Sequence, residues 1–283
     1  MNSKNLIWLA SYPKSGNTWV RTFFNLYLSK DLNLNFSNLK NDILHSSRSY
    51  IEENADLDST LLYKDELNLI KRLSLKTLSD SNSNQLFFIK THEKFFKLTD
   101  NLPNIPIENT LGIIYILRNP LDIVASYANH INKTYDEIVN YMNDPNYHLT
   151  SQIGNLNLSP ATPQYVSSWS ENVESWINQT QIPILVIRFE DLLLDPISNF
   201  TKMVEFSQIK VNHQKIKNVI EKVQFDKLQK KENEEGFFIM NGTERNFFRN
   251  GKAGGWKNEL TNNLVLSIIS KHYQQMKIFE YVA

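Results

Sequence analysis

The sequence predicts an α/β chain: a mostly parallel, doubly wound sheet with helices on both faces, in a single domain spanning residues 1–283. Short apolar runs recur at 5–10 (NLIWLA), 86–90 (LFFIK), 112–117 (GIIYIL) and 184–188 (ILVIR), each of a length that suits a buried strand. Stretches of helical spacing lie between them. Buried strands alternating with helices give a parallel sheet, and such sheets bind ligands beyond the carboxyl ends of their strands.

The first run breaks at a Ser/Pro/Gly loop, after which Trp19, Val20, Phe23, Phe24 and Tyr27 recur with helical spacing, giving strand, loop, helix. Further helical stretches fall near 120–130, 163–178 and 195–206. Within the second of these, Trp169, Val173 and Trp176 read first as the apolar stripe of an amphipathic helix and second as an acceptor pocket. The 143–163 stretch is rich in Asn, Ser and Pro and long for a connection, which suggests a lid or an acceptor loop. The charged run Lys227 to Glu235 reads as a solvated helix end or loop.

Composition narrows the function classes. Thirty basic and thirty acidic side chains cancel, so no global field favours nucleic acid or an anionic membrane, and an anion site must be local. The absence of cysteine removes disulfides, thiolate clusters and a cysteine nucleophile, and suits a reducing cytoplasm. The Leu6 to Ala10 run is too short for a signal-peptide core, and no apolar stretch reaches the roughly 18 residues of a membrane span. We therefore expect a cytoplasmic protein with neither nucleic acid nor membrane as a partner.

The sharpest motif is Tyr12-Pro13-Lys14-Ser15-Gly16-Asn17-Thr18-Trp19, between the first strand and the first helix. It joins the N–H groups of a helix start, a permissive Gly16, the hydroxyls of Ser15 and Thr18, and the Lys14 ammonium, which together make a P-loop-like phosphate-binding loop. It is not a Walker A loop, because the lysine precedes Ser15-Gly16 instead of following a longer glycine loop. Trp19 suits either the core or a base stacked beside the loop.

A second motif, Arg118-Asn119-Pro120-Leu121-Asp122 continuing to Ser126, again follows a strand, with Pro120 suited to a first helical position. Asp122 reads as a first-turn acid favoured by the helix dipole. A third, Arg249-Asn250-Gly251-Lys252-Ala253-Gly254-Gly255-Trp256, holds three glycines that let backbone approach a ligand closely. A fourth, Lys90-Thr91-His92, ends the LFFIK strand. The other five histidines, among them His45 and His272, read as structural.

These four motifs, which follow the family's order along the chain between about residues 5 and 262, resemble those of the cytosolic-type sulfotransferase family, which uses 3′-phosphoadenosine 5′-phosphosulfate (PAPS) and releases the 3′,5′-bisphosphate (PAP). The resemblance implies that Lys14, Ser15, Gly16, Asn17, Thr18 and Trp19 hold the 5′ end of the donor. It gives Arg118, Ser126, Arg249, Asn250 and Gly251 to the 3′-phosphate. His92 becomes the base, with Lys14 and Lys90 as catalytic cations and no metal required. Three positions depart from the family: Asn250 replaces a lysine, Gly255 an acid, and Phe189 a tyrosine at the adenine pocket. Phe189, Phe225 and Phe248 are candidates for that pocket, the last two equally candidates for core. The family's dimerisation pattern falls at 257–266 and is broken by Asn262 and Leu266, leaving monomer or homodimer open.

The implied function is sulfuryl transfer to a hydroxyl or nitrogen of a small-molecule acceptor by in-line displacement. The alternatives are a P-loop-type nucleotide kinase and a catalytically inactive adenosine bisphosphate-binding protein.

Overall fold

The computed structural model describes residues 4–36, 39, 43–149, 160–236 and 247–283. Residues 150–159 of the expected lid or acceptor loop lie outside this set. The chain divides into two compact units, one of residues 1–12, 42–115 and 144–186, the other of 13–41, 116–143 and 187–283.

The first unit is built on a mostly parallel four-stranded sheet, whose last two strands run on into the second unit at their carboxyl ends. The strands are β1 (Leu6–Ser11), β2 (Phe87–Thr91), β3 (Thr110–Leu117) and, after a short hairpin of β4 (His148–Leu149) with β5 (Gln164–Tyr165), β6 (Ile184–Arg188). Their order is β2-β1-β3-β6. β1 is buried along its whole length, which is why it reads as an unbroken apolar run, and Leu6 to Ala10 pair in parallel with Phe87 to Thr91. From β1 the chain moves to one side to form β2, and from β3 to the other to form β6. The strand order therefore reverses between β1 and β3, the place where doubly wound sheets bind ligands.

α1 is Asn17–Leu28, α2 Arg48–Ala55, α3 Lys64–Ser81, α4 Pro120–Ile131, α5 Tyr135–Asn143 and α6 Trp169–Ile177, of which α1, α4 and α6 fall in expected stretches. α6 starts later than the periodicity suggested, because 164–165 is taken by the hairpin. Its Trp169, Val173 and Trp176 are fully buried, so the stripe is core. The second unit adds α7 (Phe189–Leu194), α8 (Pro196–Phe206), α9 (His213–Lys222), α10 (Phe225–Glu235) and α11 (Asn262–Ile278), with the Phe23 and Phe200 rings stacked at 3.9 Å.

The 227–235 run is a largely solvated helix end, as expected, and departs from that reading at Glu232. It belongs to a complete helix, and its Glu232 is buried with its carboxylate accepting the Phe247 N–H at 2.5 Å and the Phe248 N–H at 2.9 Å. Of the six charged residues of the run, Glu232 is the buried one, where two backbone donors meet it.

Burial pushes the pKa of both His45 and His272 down to about 4. Each is neutral when folded but protonates near 6.5 when unfolded, so between about pH 6.5 and 4 the unfolded chain binds more protons. Stability from these groups is present above that window and lost as pH falls through it. Thermal melts should show a lower midpoint at about pH 5 than at about pH 7.5, and His272→Gln should weaken that dependence; a pH-independent midpoint would contradict it.

Candidate functional site

Every donor-side candidate lies in the second unit. β1 delivers the chain to Pro13, and α1 begins at Asn17 with Gly16 as its N-cap at φ 103, a left-handed conformation that glycine alone adopts without strain. A Cβ at Gly16 would sit 2.6 Å from Phe189 Cδ2, so the loop also requires the absence of a side chain there. Lys14 is itself left-handed at φ 64, and its ammonium lies 3.7 Å over the Phe247 ring. Among the described residues no side chain caps α1, and the Gly16 carbonyl accepts the Trp19 and Val20 N–H groups at 3.0 and 3.3 Å. Ser15 Oγ and Trp19 Nε1 are buried without a hydrogen-bond partner among the described residues. A phosphate-and-base ligand would supply acceptors for both, whereas a protein with no ligand here would leave them as an uncompensated cost.

Arg118, at the end of β3, is the linchpin of this unit. Its Nη1 donates to the Lys14 carbonyl at 2.9 Å and its Nη2 to the Lys252 carbonyl at 3.2 Å, joining the first and third motifs. Its guanidinium carbon lies 4.5 Å from the Phe189 ring centroid. Burial lowers its pKa, against the opposing pull of Asp122 and Glu190. Asn119 caps α4 by accepting the Leu121 N–H, and Pro120 takes the first helical position as its missing N–H requires.

Asp122 sits in the first turn of α4, as the dipole argument requires, and does more. Its Oδ2 accepts the Gly254 N–H at 2.8 Å and its Oδ1 the Trp256 N–H at 3.1 Å. The carboxylate thus folds the glycine-rich third motif, a role that no spacing in the sequence reveals. Gly251 is left-handed at φ 60, and a Cβ there would overlap the Phe225 ring at 2.1 Å. Arg249 forms a two-pronged ion pair with Glu259 at 2.8 and 3.0 Å, and Asn250 is exposed. Ser126 is half-buried in α4. Of the aromatic candidates, Phe189 and Trp19 meet edge to face at 6.0 Å beside the loop. Phe248 is core, packed with Phe36, Leu39 and Leu228, while Phe225 packs against that cluster and contacts Phe248 edge to face.

The base-side candidates lie in the first unit. Lys90 pairs with Leu9 in the β1–β2 ladder, and its backbone also bonds to Ile43 and His45. His92 follows the strand, with Nδ1 2.8 Å from the Ser11 carbonyl oxygen and 3.2 Å from Ser11 Oγ. A carbonyl only accepts, so Nδ1 carries the proton and Nε2 carries the lone pair. This tautomer has the form a base needs.

The chain matches the family described as "Sulfotransferase domain" over residues 4–279. It is 27% identical over 278 residues to human (Homo sapiens) sulfotransferase 1E1, covering 95% of this chain and 83% of that protein. Flavonol 3-sulfotransferase of Flaveria bidentis is 25% identical over 292 residues, covering 93% and 79% respectively. Among solved structures, mouse sulfotransferase SULT7A1 complexed with PAP superposes with a TM-score of 0.61 at 20% identity, covering 96% of this chain and 84% of that one. Retinol dehydratase in complex with androsterone and PAP gives 0.62 at 19%, covering 97% and 81%. At these identities the two structures speak for the fold alone. The family match runs through all four motifs and favours sulfuryl transfer over the kinase alternative: the chain belongs to the sulfotransferase family and is a sulfotransferase enzyme.

Proposed function

We propose that the protein transfers a sulfuryl group from PAPS to a hydroxyl or nitrogen of a small-molecule acceptor, with His92 as the base. The observation that carries this reading is the second unit's 12–19 loop, with Ser15 Oγ and Trp19 Nε1 buried without a partner among the described residues and with Gly16, like Gly251 of the third motif, where a Cβ would clash. The donor-side residues fit such a nucleotide. The backbone N–H groups and hydroxyls of 15–18 would hold the 5′ phosphosulfate end, Arg118 and the 249–251 segment the 3′-phosphate, and Trp19 and Phe189 the base. Relatives support the choice: two similar folds hold PAP, and the curated relatives act on flavonols or bear sulfotransferase names.

PAPS supplies the sulfuryl group and, in PAP, a stabilised leaving group. The chain's residues do the rest. His92 Nε2 takes the acceptor's proton as the new O–S or N–S bond forms and the bridging S–O bond to the 5′-phosphate breaks. Lys14 neutralises the charge that grows on that bridging oxygen, and Lys90 steadies the equatorial sulfuryl oxygens. Positioning and charge stabilisation suffice for such a transfer, as they do for most of the work in phosphoryl transfer, and no metal enters the scheme. The acceptor class follows the flavonol relatives only as far as a small molecule.

Calorimetric titration without magnesium tests the donor. PAP should bind tightly, AMP at least about tenfold more weakly, a difference of about 1.4 kcal/mol, and ATP should gain nothing from magnesium. Lys14→Ala should lose binding, and preference for magnesium-ATP would overturn the reading. His92→Ala should keep the affinity for PAP and lose turnover; a fully active variant would remove His92 from its role. Asp122→Ala leaves the Gly254 and Trp256 N–H groups without their acceptor, so PAP binding should weaken about tenfold while AMP binding changes little. Equal weakening of both nucleotides would show that the third motif does not read the 3′-phosphate.

A further inference from the structure

The first unit holds a buried cluster of Lys71, Glu93 and His45 that the proposed mechanism does not use. Lys71 of α3, 1% exposed, places Nζ 2.5 Å from Glu93 Oε1 and 2.8 Å from the Pro163 carbonyl oxygen. Glu93, 2% exposed, has its other oxygen 3.3 Å from His45 Nδ1, which also meets Thr91 Oγ1 at 3.4 Å. Burial raises the pKa of the Glu93 carboxyl, but Lys71 foremost outweighs it and holds the group below the usual range. A buried ion pair of this kind is seldom more stable than a well-packed apolar pair, so its presence points to geometry and not to stability.

The geometry in question is that of the segment carrying the base. From Ile89 to Lys94 burial alternates strictly, with Ile89, Thr91 and Glu93 buried and Lys90, His92 and Lys94 half-buried. An extended chain has this period of two, so Lys90 and His92 point to one side and Thr91 and Glu93 to the other. The ladder with β1 ends at the Ala10–Thr91 pair, and His92 and Glu93 lie beyond it. What holds them is side-chain chemistry. Asn172 donates to the His92 carbonyl at 3.1 Å, Trp176 Nε1 to the Glu93 carbonyl at 3.0 Å, and the Glu93 N–H to Thr91 Oγ1 at 3.1 Å. The Glu93 side chain anchors this turn to Lys71 of α3.

We infer that Lys71 and Glu93 are positioning residues for His92: their buried pair pulls the turn at 91–93 onto α3 and so holds the imidazole with Nδ1 on the Ser11 carbonyl. The inference rests on the reading of His92 as the base. Its test reads the ring itself and needs neither donor nor acceptor, so its failure is distinct from failure of that reading, which the turnover of His92→Ala reports.

Long-range ¹H–¹⁵N spectra of the uniformly labelled full chain, with His92 assigned by comparison with His92→Gln, report the tautomer. In the wild type, His92 should be locked with the proton on Nδ1. The double variant Lys71→Met/Glu93→Leu removes both charges at similar volume; it should release the lock toward the Nε2–H form that water favours, while PAP affinity is unchanged. Glu93→Gln, which keeps the side-chain shape, is measured alongside because removal of buried charges can unfold a chain, and it should show a partial release. Lys71→Arg, which preserves the pair, should retain the lock. A His92 that stays in the wild-type tautomer in both Glu93 variants, or that is not locked in the wild type, would overturn the inference.

Discussion

The buried guanidinium of Arg118 is the interaction on which the second unit depends. It is separated from Lys14 and from Lys252 by more than a hundred residues on each side, yet it donates to the carbonyls of both. A buried cation needs partners for its donors, and here backbone oxygens of two different loops accept a hydrogen bond from each of the two Nη atoms. Neither loop is a regular element that could hold its own shape. The left-handed Lys14, the left-handed Gly16 and the glycine-rich 251–255 stretch are each irregular backbone, and Arg118 together with Asp122 supplies the hydrogen bonds that helix or sheet would otherwise provide. Loss of this residue would therefore disturb the phosphate loop and the third motif together.

The sheet explains why these loops lie where they do. Both the 13–16 loop and Arg118 leave the carboxyl ends of β1 and β3, the two strands between which the order reverses. β1 also serves the first unit, because the Ser11 carbonyl at its end fixes the His92 tautomer. Ser11, whose carbonyl meets His92 Nδ1, and Lys14 are thus three positions apart in sequence. In the first unit the polar contacts are again supplied by residues far apart in sequence: Lys71, Asn172 and Trp176 hold the turn that follows β2.

Much of this was legible in the sequence. The four strand runs, α1, α4 with Pro120 at its first position, and α8 fall where periodicity and breakers placed them, because buried parallel strands and amphipathic helices carry their own local signal. Trp19, Phe189 and Gly16 come together beside the phosphate loop as the motifs implied. What could not be read were the partners of charged side chains. Asp122 looked like a dipole-favoured acid, Glu232 like part of a solvated run, and His45 like an isolated structural histidine. Each instead meets backbone or side-chain groups that only the tertiary fold brings near, and no periodicity encodes such pairings. Arg249 shows the same gap, since its ion pair is with Glu259, ten residues further on.

The central claim is sulfuryl transfer from PAPS by this constellation. Its most direct measurement is incubation with ³⁵S-labelled PAPS and a mixed panel of phenols, alcohols and amines, followed by separation of labelled products from nucleotide. The account expects the label to move to an organic acceptor with one PAP released per label transferred, in the wild type and not in Lys14→Ala. Label that stays on the nucleotide with every acceptor class, in a protein that still binds PAP, would contradict it and identify a nucleotide-binding protein without transfer activity.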